Sequence, residues 1–229
     1  MAVGRPSNLH RVSTEFASLV TWLRESLPPG VRVAAGLIGE PPESPYPSEE
    51  ALIARAVAKR QSEFRTGRSY ARQALSACGC PAAAIPADRA GAAVWPEGYV
   101  GSISHCDGLA IALAASTADV RGLGVDIAKD GPLEADVANL IRRPGELAPL
   151  DGGDPATNLM QVFSAKESCI KAYYSDQRVV LEFLDIALLP GPRAGDFLAG
   201  TPHAEGAVQI HGRLRQIGST ILSAAFIGA

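Results

Sequence analysis

The acid Asp126 stands inside an apolar, strand-like run, Gly122-Leu-Gly-Val-Asp-Ile127. In a strand Val125 and Ile127 share one face, so the Asp126 carboxylate points to the other and would lie at a sheet surface or a strand end. The structural interpretation of such a carboxylate is that it caps a turn at the end of the strand. The run has no third glycine and opens no helix, which excludes a dinucleotide-binding fingerprint.

A second candidate acid, Glu167, lies in a helical pattern with two lysines, Phe163-Ser-Ala-Lys-Glu-Ser-Cys-Ile-Lys171. Glu167 and Lys171 are four residues apart, in the order that favours an ion pair on a helix. Ser164 and Glu167 also fit a capping box. These structural interpretations compete with a catalytic one. However, Lys166 and Lys171 are two of only four lysines among 21 basic residues, which favours a functional helix.

Two groups of residues could bind a phosphate. In Gly101-Ser-Ile-Ser-His105, before a tight turn, the Ser104 hydroxyl, the His105 imidazole and backbone amides could hold an anion. A helical pattern upstream carries four arginines: Arg60, Arg65, Arg68 and Arg72. Guanidinium groups on one helical face could clamp a phosphate. The alternatives are a hydrogen-bonded hairpin histidine and a solvated basic face.

The four motifs occur together and in order. They are K-R-Q-S-E-F-R-T-G-R-S-Y-A-R-Q-A-L, W-P-E-G-Y-V-G-S-I-S-H-C, G-L-G-V-D-I and F-S-A-K-E-S-C-I-K-A. In this combination the sequence resembles the 4'-phosphopantetheinyl transferases, specifically the larger single-chain type similar to the enterobactin-synthase and surfactin-type activators. The resemblance covers residues 59–174, and its specific part is the pair G-V-D and F-S-x-K-E-x-x-x-K. Outside that range only the general layout is similar.

The resemblance implies a metal site. In the family, the aspartate of G-V-D and the glutamate of K-E bind a divalent ion that also holds the pyrophosphate of coenzyme A, which implies Asp126 and Glu167 as ligands of Mg²⁺. Lys171 is implied to neutralise charge on the leaving 3',5'-ADP, with Lys166 assisting. Many relatives have a second acid two positions after the aspartate, where this chain has Ala128. Two side chains, the pyrophosphate and water are therefore expected to complete the coordination.

The same resemblance implies where the adenosine 3'-phosphate of coenzyme A binds. In the family, the S-H pair and the helical arginines contact this phosphate and neighbouring groups. These contacts carry over to Ser104, His105, Arg60 and Arg68. Arg89, just ahead of Gly91, is an additional candidate.

The implied reaction transfers 4'-phosphopantetheine from coenzyme A to a serine of an acyl, aryl or peptidyl carrier protein and releases 3',5'-ADP. The implied catalytic residues are Glu167, Asp126, Lys171 and His105. Glu167, directly or through a metal-bound water, is the expected base. Because carrier domains are acidic around the modified serine, a basic and apolar rim near Tyr173, Tyr174 and Arg178 is the docking hypothesis.

Two other classes of protein fit part of this pattern. A serine hydrolase would use Ser104, His105 and Asp107, but such close neighbours on one strand cannot form a nucleophile, a base and an orienting acid, and no G-x-S-x-G motif is present. A non-catalytic module that binds coenzyme A or a carrier would keep the basic residues but would not need both acids. The two acids, Asp126 and Glu167, favour turnover.

Helices and strands predicted from the hydrophobic pattern must position these residues. Helices are expected over 14–27, 48–79 with a break at Gly67, and 159–174. Strands are expected over 31–38, 99–105, 109–115, 121–127, 208–217 and 220–227. Asp107-Gly108 and Gly218-Ser219 are the expected turns of two hairpins. Residues 81–96 and much of 129–158 are expected to be irregular.

The repeated order of helix, loop and antiparallel hairpin predicts a pseudo-symmetric α+β fold of two halves. Each half would be a small antiparallel sheet packed with helices. Residues 1–120 would carry the 3'-phosphate and adenosine contacts, and residues 121–229 the metal, pyrophosphate and carrier sites. One chain would then contain the whole site, so a monomer is expected.

Composition argues against several other functions. The 229 residues carry a formal net charge of −3, so no overall positive field attracts nucleic acid or an anionic membrane. Four cysteines without paired spacing indicate neither a structural zinc site nor a disulfide framework. Residues 1–11 lack the apolar core of a signal peptide, and no run approaches the ~20 apolar residues of a membrane span. The cytoplasm is therefore the expected location.

Overall fold

The computed structural model of the chain describes residues 8–143, 146, 155–201 and 208–229. Its helices are α1 (Asn8–Ser26), α2 (Pro47–Ile53), α3 (Ala58–Ala77), α4 (Ala135–Ile141) and α5 (Pro155–Gln177), with a short 3-10 helix at Phe183–Asp185. Its strands are β1 (Arg32–Leu37), β2 (Tyr99–Cys106), β3 (Leu109–Ser116), β4 (Val120–Lys129), β5 (Ala187–Pro190), β6 (Asp196–Gly200), β7 (Ile210–Ile217) and β8 (Thr220–Gly228). Parts of the predicted irregular segment, residues 144–145 and 147–154, lie outside the described residues.

The strands form two antiparallel sheets, with the orders β1-β3-β2 and β4-β8-β7-β6-β5. Helix α3 packs on the first sheet and helix α5 on the second. The predicted α+β fold of two antiparallel sheets with helices is confirmed. The pattern did not predict β5 and β6, because these strands are short and are joined by the Gly- and Pro-containing segment 191–195.

The two predicted hairpins are present. Strand β2 turns into β3 with Cys106 opposite Leu109, and the two turn residues have positive φ angles, 50° at Asp107 and 82° at Gly108. Asp-Gly suits a turn that needs positive φ at both central positions. The hairpin places the end of β2, which carries Ser104 and His105, beside this turn.

The predicted break in the second helix lies at a different position. Residues 54–57 separate α2 from α3, whereas α3 runs without interruption through Gly67, so the predicted kink at Gly67 is wrong. Packing explains this glycine, because an added Cβ would lie 2.9 Å from the Ile103 side chain. Helix α3 therefore lies close against β2 and brings its arginines toward His105.

One hydrophobic core joins the two sheets. It includes buried residues of α1 and of both sheets, among them Leu19, Leu23, Ile111, Leu113, Leu123 and Leu222. Because both sheets contribute to one core, the two halves stabilise each other. The assignment of separate functions to residues 1–120 and 121–229 stays a prediction. In the described part of the chain, no helix has the length and apolar character needed to cross a bilayer.

Candidate active site

Strand β4 and helix α5 are in direct backbone contact through two glycines. A Cβ atom at Gly124 would overlap the Ser168 carbonyl oxygen, and one at Gly122 would overlap the carbonyl oxygen of Ala172. Glycine has no Cβ and so permits this approach. As a result, the acidic and basic side chains of the α5 motif reach the acid on β4.

The two carboxylate oxygens of Asp126 have different surroundings. Oδ1 accepts hydrogen bonds from Lys171 Nζ at 2.8 Å and from Ser104 Oγ at 3.1 Å. Oδ2 is buried and has no hydrogen-bond partner among the described residues, and the whole residue is only 6% exposed. A buried polar atom without a partner is costly. The arrangement therefore suits a cation that would bind Oδ2.

Lys171 lies between the two candidate metal ligands. Its Nζ is 2.8 Å from Asp126 Oδ1 and 3.9 Å from Glu167 Oε2, and it donates to the Val125 carbonyl oxygen at 3.1 Å. Burial raises the pKa of Glu167 above its ordinary value; Lys171 opposes this shift and Asp126 adds to it. Its amine therefore lies beside both carboxylates.

The donor set fits a hard cation with an incomplete protein shell. In the described ranges, no group of three or more histidine, cysteine, aspartate or glutamate side chains is arranged to hold a metal ion. Ala128 lines the same cleft as Asp126 and Glu167 and offers no ligand. Mg²⁺ commonly binds through one or two carboxylates and takes its other ligands from substrate phosphates and water. Asp126 and Glu167 fit that pattern.

Two adjoining clefts meet beside these acids. One, of about 530 Å³, is lined by Asp126 and Glu167 together with the apolar Met160 and Phe163. The other, of about 370 Å³, lies between α3, the loop 90–95 and α5. They share Ile103, His105 and Lys171. An elongated ligand could therefore extend from the acidic cleft into the second one.

The second cleft is lined by the cation Arg60. Arg60 Nη1 donates to His105 Nε2 at 2.9 Å, so this imidazole is neutral and carries its proton on Nδ1, which lies 3.9 Å from Glu63 Oε2. Burial lowers the pKa of His105 below its ordinary value, against the opposing effect of Glu63. The Arg60 side chain is 53% exposed and is available to an anion. Sequence reasoning missed Glu63, whose spacing from Arg60 is that of an ordinary helical ion pair.

Of the other three predicted arginines, Arg68 lines this cleft. Its guanidinium lies 4.5 Å from the centre of the Phe64 ring and donates to the Ile85 carbonyl oxygen at 2.7 Å. Burial lowers its pKa to about 10, so it stays protonated at neutral pH. It fixes the loop that forms the cleft wall while presenting positive charge to the cavity.

Arg65 and Arg72 face α2 instead. Arg65 pairs with Glu50 and Arg72 with Glu49, each at 2.7 Å. Their charges are neutralised by these carboxylates, and neither residue lines the two clefts. Two of the four arginines of α3, Arg65 and Arg72, therefore support the fold, and the other two, Arg60 and Arg68, line the second cleft.

Ser104 lies beside Asp126. It lines the acidic cleft, accepts a hydrogen bond from the Ile127 amide at 3.1 Å and donates to Asp126 Oδ1. Its predicted contact with the 3'-phosphate stays a prediction. Arg89 is exposed and does not line either cleft, although residues 90–93 line the second one.

Lys166 is the clearest correction among the predicted residues. It is fully buried, and its Nζ donates to Glu146 Oε2 at 2.6 Å and to the carbonyl oxygens of Ile141 and Phe183 at 2.8 and 3.0 Å. A helix directs consecutive residues to different sides, so Lys166 faces the protein interior while Glu167 faces the cleft. Its amine is occupied by these three hydrogen bonds inside the protein and does not face the cleft where the pyrophosphate contact was predicted.

The capping-box interpretation of Glu167 is also wrong. Ser164 lies well inside α5 and its hydroxyl is 2.9 Å from that of Ser223 on β8. It therefore joins the helix to the sheet and caps no helix end.

Of the three residues of the predicted docking rim, Arg178 is exposed, Tyr174 is half-buried and Tyr173 is buried, so docking at this rim stays a prediction. Tyr173 is buried in the core of the second sheet. Tyr174 donates to Asp88 Oδ2 at 2.6 Å, and both Tyr174 and Arg178 line the second cleft. The hydrogen bond between Tyr174 and Asp88 joins α5 to the loop over the cleft, and no sequence pattern predicted it.

Comparison with known proteins agrees with this geometry. The 4'-phosphopantetheinyl transferase N-terminal domain matches residues 48–115, and the 4'-phosphopantetheinyl transferase superfamily matches residues 122–213. The chain is 41% identical over 158 residues to the 4'-phosphopantetheinyl transferase Svp of Streptomyces mobaraensis, which covers 67% of this chain and 64% of that relative. The matched part thus spans slightly less than two thirds of Svp.

Two further relatives are similar over a comparable length. The 4'-phosphopantetheinyl transferase Npt of Nocardia iowensis is 39% identical over 65% of this chain and 67% of its own length. The 4'-phosphopantetheinyl transferase PptT of Mycobacterium tuberculosis is 38% identical over 66% of this chain and 68% of its own length. The chain belongs to the 4'-phosphopantetheinyl transferase family.

Proposed function

We propose that the protein transfers the 4'-phosphopantetheine group of coenzyme A to a serine of an apo acyl, aryl or peptidyl carrier protein, with Mg²⁺ as cofactor. The observation that carries this proposal is the buried, unpartnered Oδ2 of Asp126 in the same cleft as Glu167. A cleft with this pair of acids, adjoining a second cleft lined by Arg60, suits a diphosphate that is bound through a metal. Family membership supports the same reaction.

The metal would be held by Asp126 and Glu167, and it would supply charge neutralisation for the diphosphate of coenzyme A. Lys171, beside both acids, adds a second positive charge for the leaving group. The carrier serine oxygen forms a bond to the phosphorus attached to pantetheine, and the bond from that phosphorus to the oxygen of 3',5'-ADP breaks. Positioning and electrostatic stabilisation account for most of the catalysis of such transfers.

Glu167 is the proposed acceptor of the serine proton. It lines the same cleft as Asp126, so its carboxylate would lie near the attacking serine oxygen. A general base of this kind contributes about 10²- to 10⁴-fold to the rate.

Arg60 and His105 are the proposed contacts of the adenosine 3'-phosphate. Arg60 carries the positive charge, and the neutral His105 can donate its Nδ1 proton to a phosphate oxygen. Arg68 adds charge from the wall of the cleft. Guanidinium groups bind phosphate through strong, charge-assisted hydrogen bonds.

Intact-mass measurement of an apo carrier tests the reaction. With coenzyme A, Mg²⁺ and this protein, the carrier should gain one phosphopantetheine, and Asp126→Asn or Glu167→Gln should abolish the gain. Asp107→Asn is the matched control, because this acid is 59% exposed on a hairpin turn and should leave transfer unchanged. Coenzyme A binding without any transfer to a panel of apo carriers would instead indicate a non-catalytic binding module.

For the carrier we propose the exposed apolar residues that follow α5. Val179 and Val180 are 52% and 62% exposed, and Val180 also lines the second cleft. An apolar surface at the cleft edge could contact a carrier while its serine enters the site. Val179→Asp should raise the KM for the carrier without changing the affinity for coenzyme A, whereas Leu189→Asp, at an exposed position on β5, should change neither. Equal effects of both variants would exclude Val179 as a docking residue.

A further inference from the structure

Strands β2 and β4 belong to different sheets but are joined by two serine hydroxyls. Ser102 Oγ accepts a hydrogen bond from the Val125 amide at 3.0 Å, and Ser104 Oγ accepts one from the Ile127 amide at 3.1 Å. Both serines are buried. Each of these two hydrogen bonds is a bridge between the sheets, because a hydroxyl of β2 accepts from an amide of β4. The two bridges hold β4 in place on both sides of residue 126.

The two bridges differ in what the hydroxyl does with its proton. Ser104 donates to Asp126 Oδ1 at 3.1 Å, whereas Ser102 has no such bond to Asp126 in the described contacts. We propose that Ser104 is a positioning residue for the metal ligand Asp126, in addition to joining the two sheets. This inference rests on the metal site proposed above.

The role follows from the freedom of an aspartate side chain. The terminal torsion of aspartate is broad, so the plane of an unrestrained carboxylate can rotate. Ser104 and Lys171 both donate to Oδ1, which leaves Oδ2 without a partner among the described residues. The two donors thereby fix the plane of the carboxylate and the direction in which the second oxygen faces the cation.

Ser104 is the more constant of the two donors. Lys171 has a long side chain that is 30% exposed, and in the proposed reaction its charge also serves the leaving group. Ser104 is 7% exposed and is itself fixed by the Ile127 amide. Ser104 is therefore the donor to Asp126 whose position depends least on the substrate.

Binding of Mn²⁺ followed by electron paramagnetic resonance tests this role without measuring transfer. The titration uses the full chain with saturating coenzyme A, and compares wild type, Ser104→Ala, Ser102→Ala and Asp126→Asn. Loss of a residue that orients a metal ligand typically weakens metal affinity about 10- to 100-fold. We expect a loss in that range for Ser104→Ala and less than about twofold for Ser102→Ala, which removes a comparable bridge but no bond to Asp126.

Two further measurements separate positioning from other roles of Ser104. Thermal unfolding should show a loss of stability for both Ser102→Ala and Ser104→Ala, because each leaves one amide of β4 without its acceptor. Coenzyme A affinity in excess chelator should be unchanged by Ser104→Ala; a tenfold loss there would show a phosphate contact and overturn the inference.

The outcomes also distinguish this inference from the proposed function. If wild type binds Mn²⁺, Asp126→Asn does not, and Ser104→Ala binds it as wild type does, the metal site stands and the positioning role is refuted. If Ser102→Ala and Ser104→Ala lose equal affinity, the bridges matter but the bond to Asp126 does not, and the role is again refuted. If wild type binds no Mn²⁺, the metal site itself fails and the inference fails with it.

Discussion

Replacing Lys166 with methionine tests whether this lysine stabilises the fold or binds coenzyme A. Lys166 is fully buried, and its amine makes three bonds, one of them to the Glu146 carboxylate at 2.6 Å. The Glu146 side chain is 5% exposed. Methionine preserves much of the volume but removes the charge, so the Glu146 carboxylate loses its cation and two carbonyl oxygens lose a donor.

The expected cost is large. Breaking a buried ion pair from one side destabilises a protein by about 3–5 kcal/mol, because the remaining charge stays uncompensated. Glu146 keeps two amide donors, from Arg143 and Leu188, which places the expected loss near the lower end, about 3 kcal/mol. For a chain of this size that corresponds to roughly 6–12 °C in the unfolding midpoint.

Chemical unfolding in urea measures this free energy, and two variants serve as controls. Lys129→Met breaks an ion pair with Asp107 in which both side chains are 59% exposed, so it should cost less than about 1 kcal/mol. A double variant, Lys166→Met with Glu146→Met, removes both charges and should recover much of the lost stability. The reasoning is refuted if Lys166→Met unfolds as wild type does while coenzyme A binds at least tenfold more weakly.

Three further predictions concern other parts of the site. Arg60→Ala should lower kcat/KM for coenzyme A about 10- to 100-fold, because hydrogen bonds to a charged group contribute about 1.5–3 kcal/mol. With 3'-dephospho-coenzyme A as substrate the loss should be small. Equal losses for the two substrates would show that Arg60 does not contact the 3'-phosphate. Gly124→Ala should destabilise the fold by about 3 kcal/mol or more in urea unfolding, because the new methyl group overlaps the backbone of α5. The added methyl group of Gly131→Ala meets no atom within 4 Å, so this control should be nearly neutral. Similar free energies of unfolding for the two variants would contradict the close packing of β4 on α5. Finally, burial lowers the pKa of His105, so the stability that its neutral form contributes is fully present above the ordinary pKa of 6.5 and is lost as the pH falls through the lowered pKa. His105→Asn should therefore lose less stability than wild type between pH 7.5 and pH 5. An unchanged pH dependence of the variant would refute this.

The sequence was sufficient to predict most of the helices and strands that carry the site. The alternating pattern of β2 and the Asp107-Gly108 turn predicted a hairpin that the structure contains, and the apolar run around Asp126 predicted β4. Periodicity was less informative for the segment 48–79, where the break falls at 54–57. Glycine weakens a helix in isolation, but the close contact of Gly67 with Ile103 makes a small residue necessary within a continuous helix.

The order and types of the motifs also predicted the family, which the comparisons confirm, and they singled out the two acids as candidates, because these are properties of the chain itself. Only the tertiary structure decided which side of each element a residue faces. Lys166 and Glu167 are neighbours in the sequence, yet one is buried in an ion pair and the other lines the cleft. Ser104 and His105 likewise separate, the first to Asp126 and the second to Arg60. Direction and burial depend on contacts between distant segments, such as β4 with α5 and β2 with β4, and local sequence does not contain those contacts.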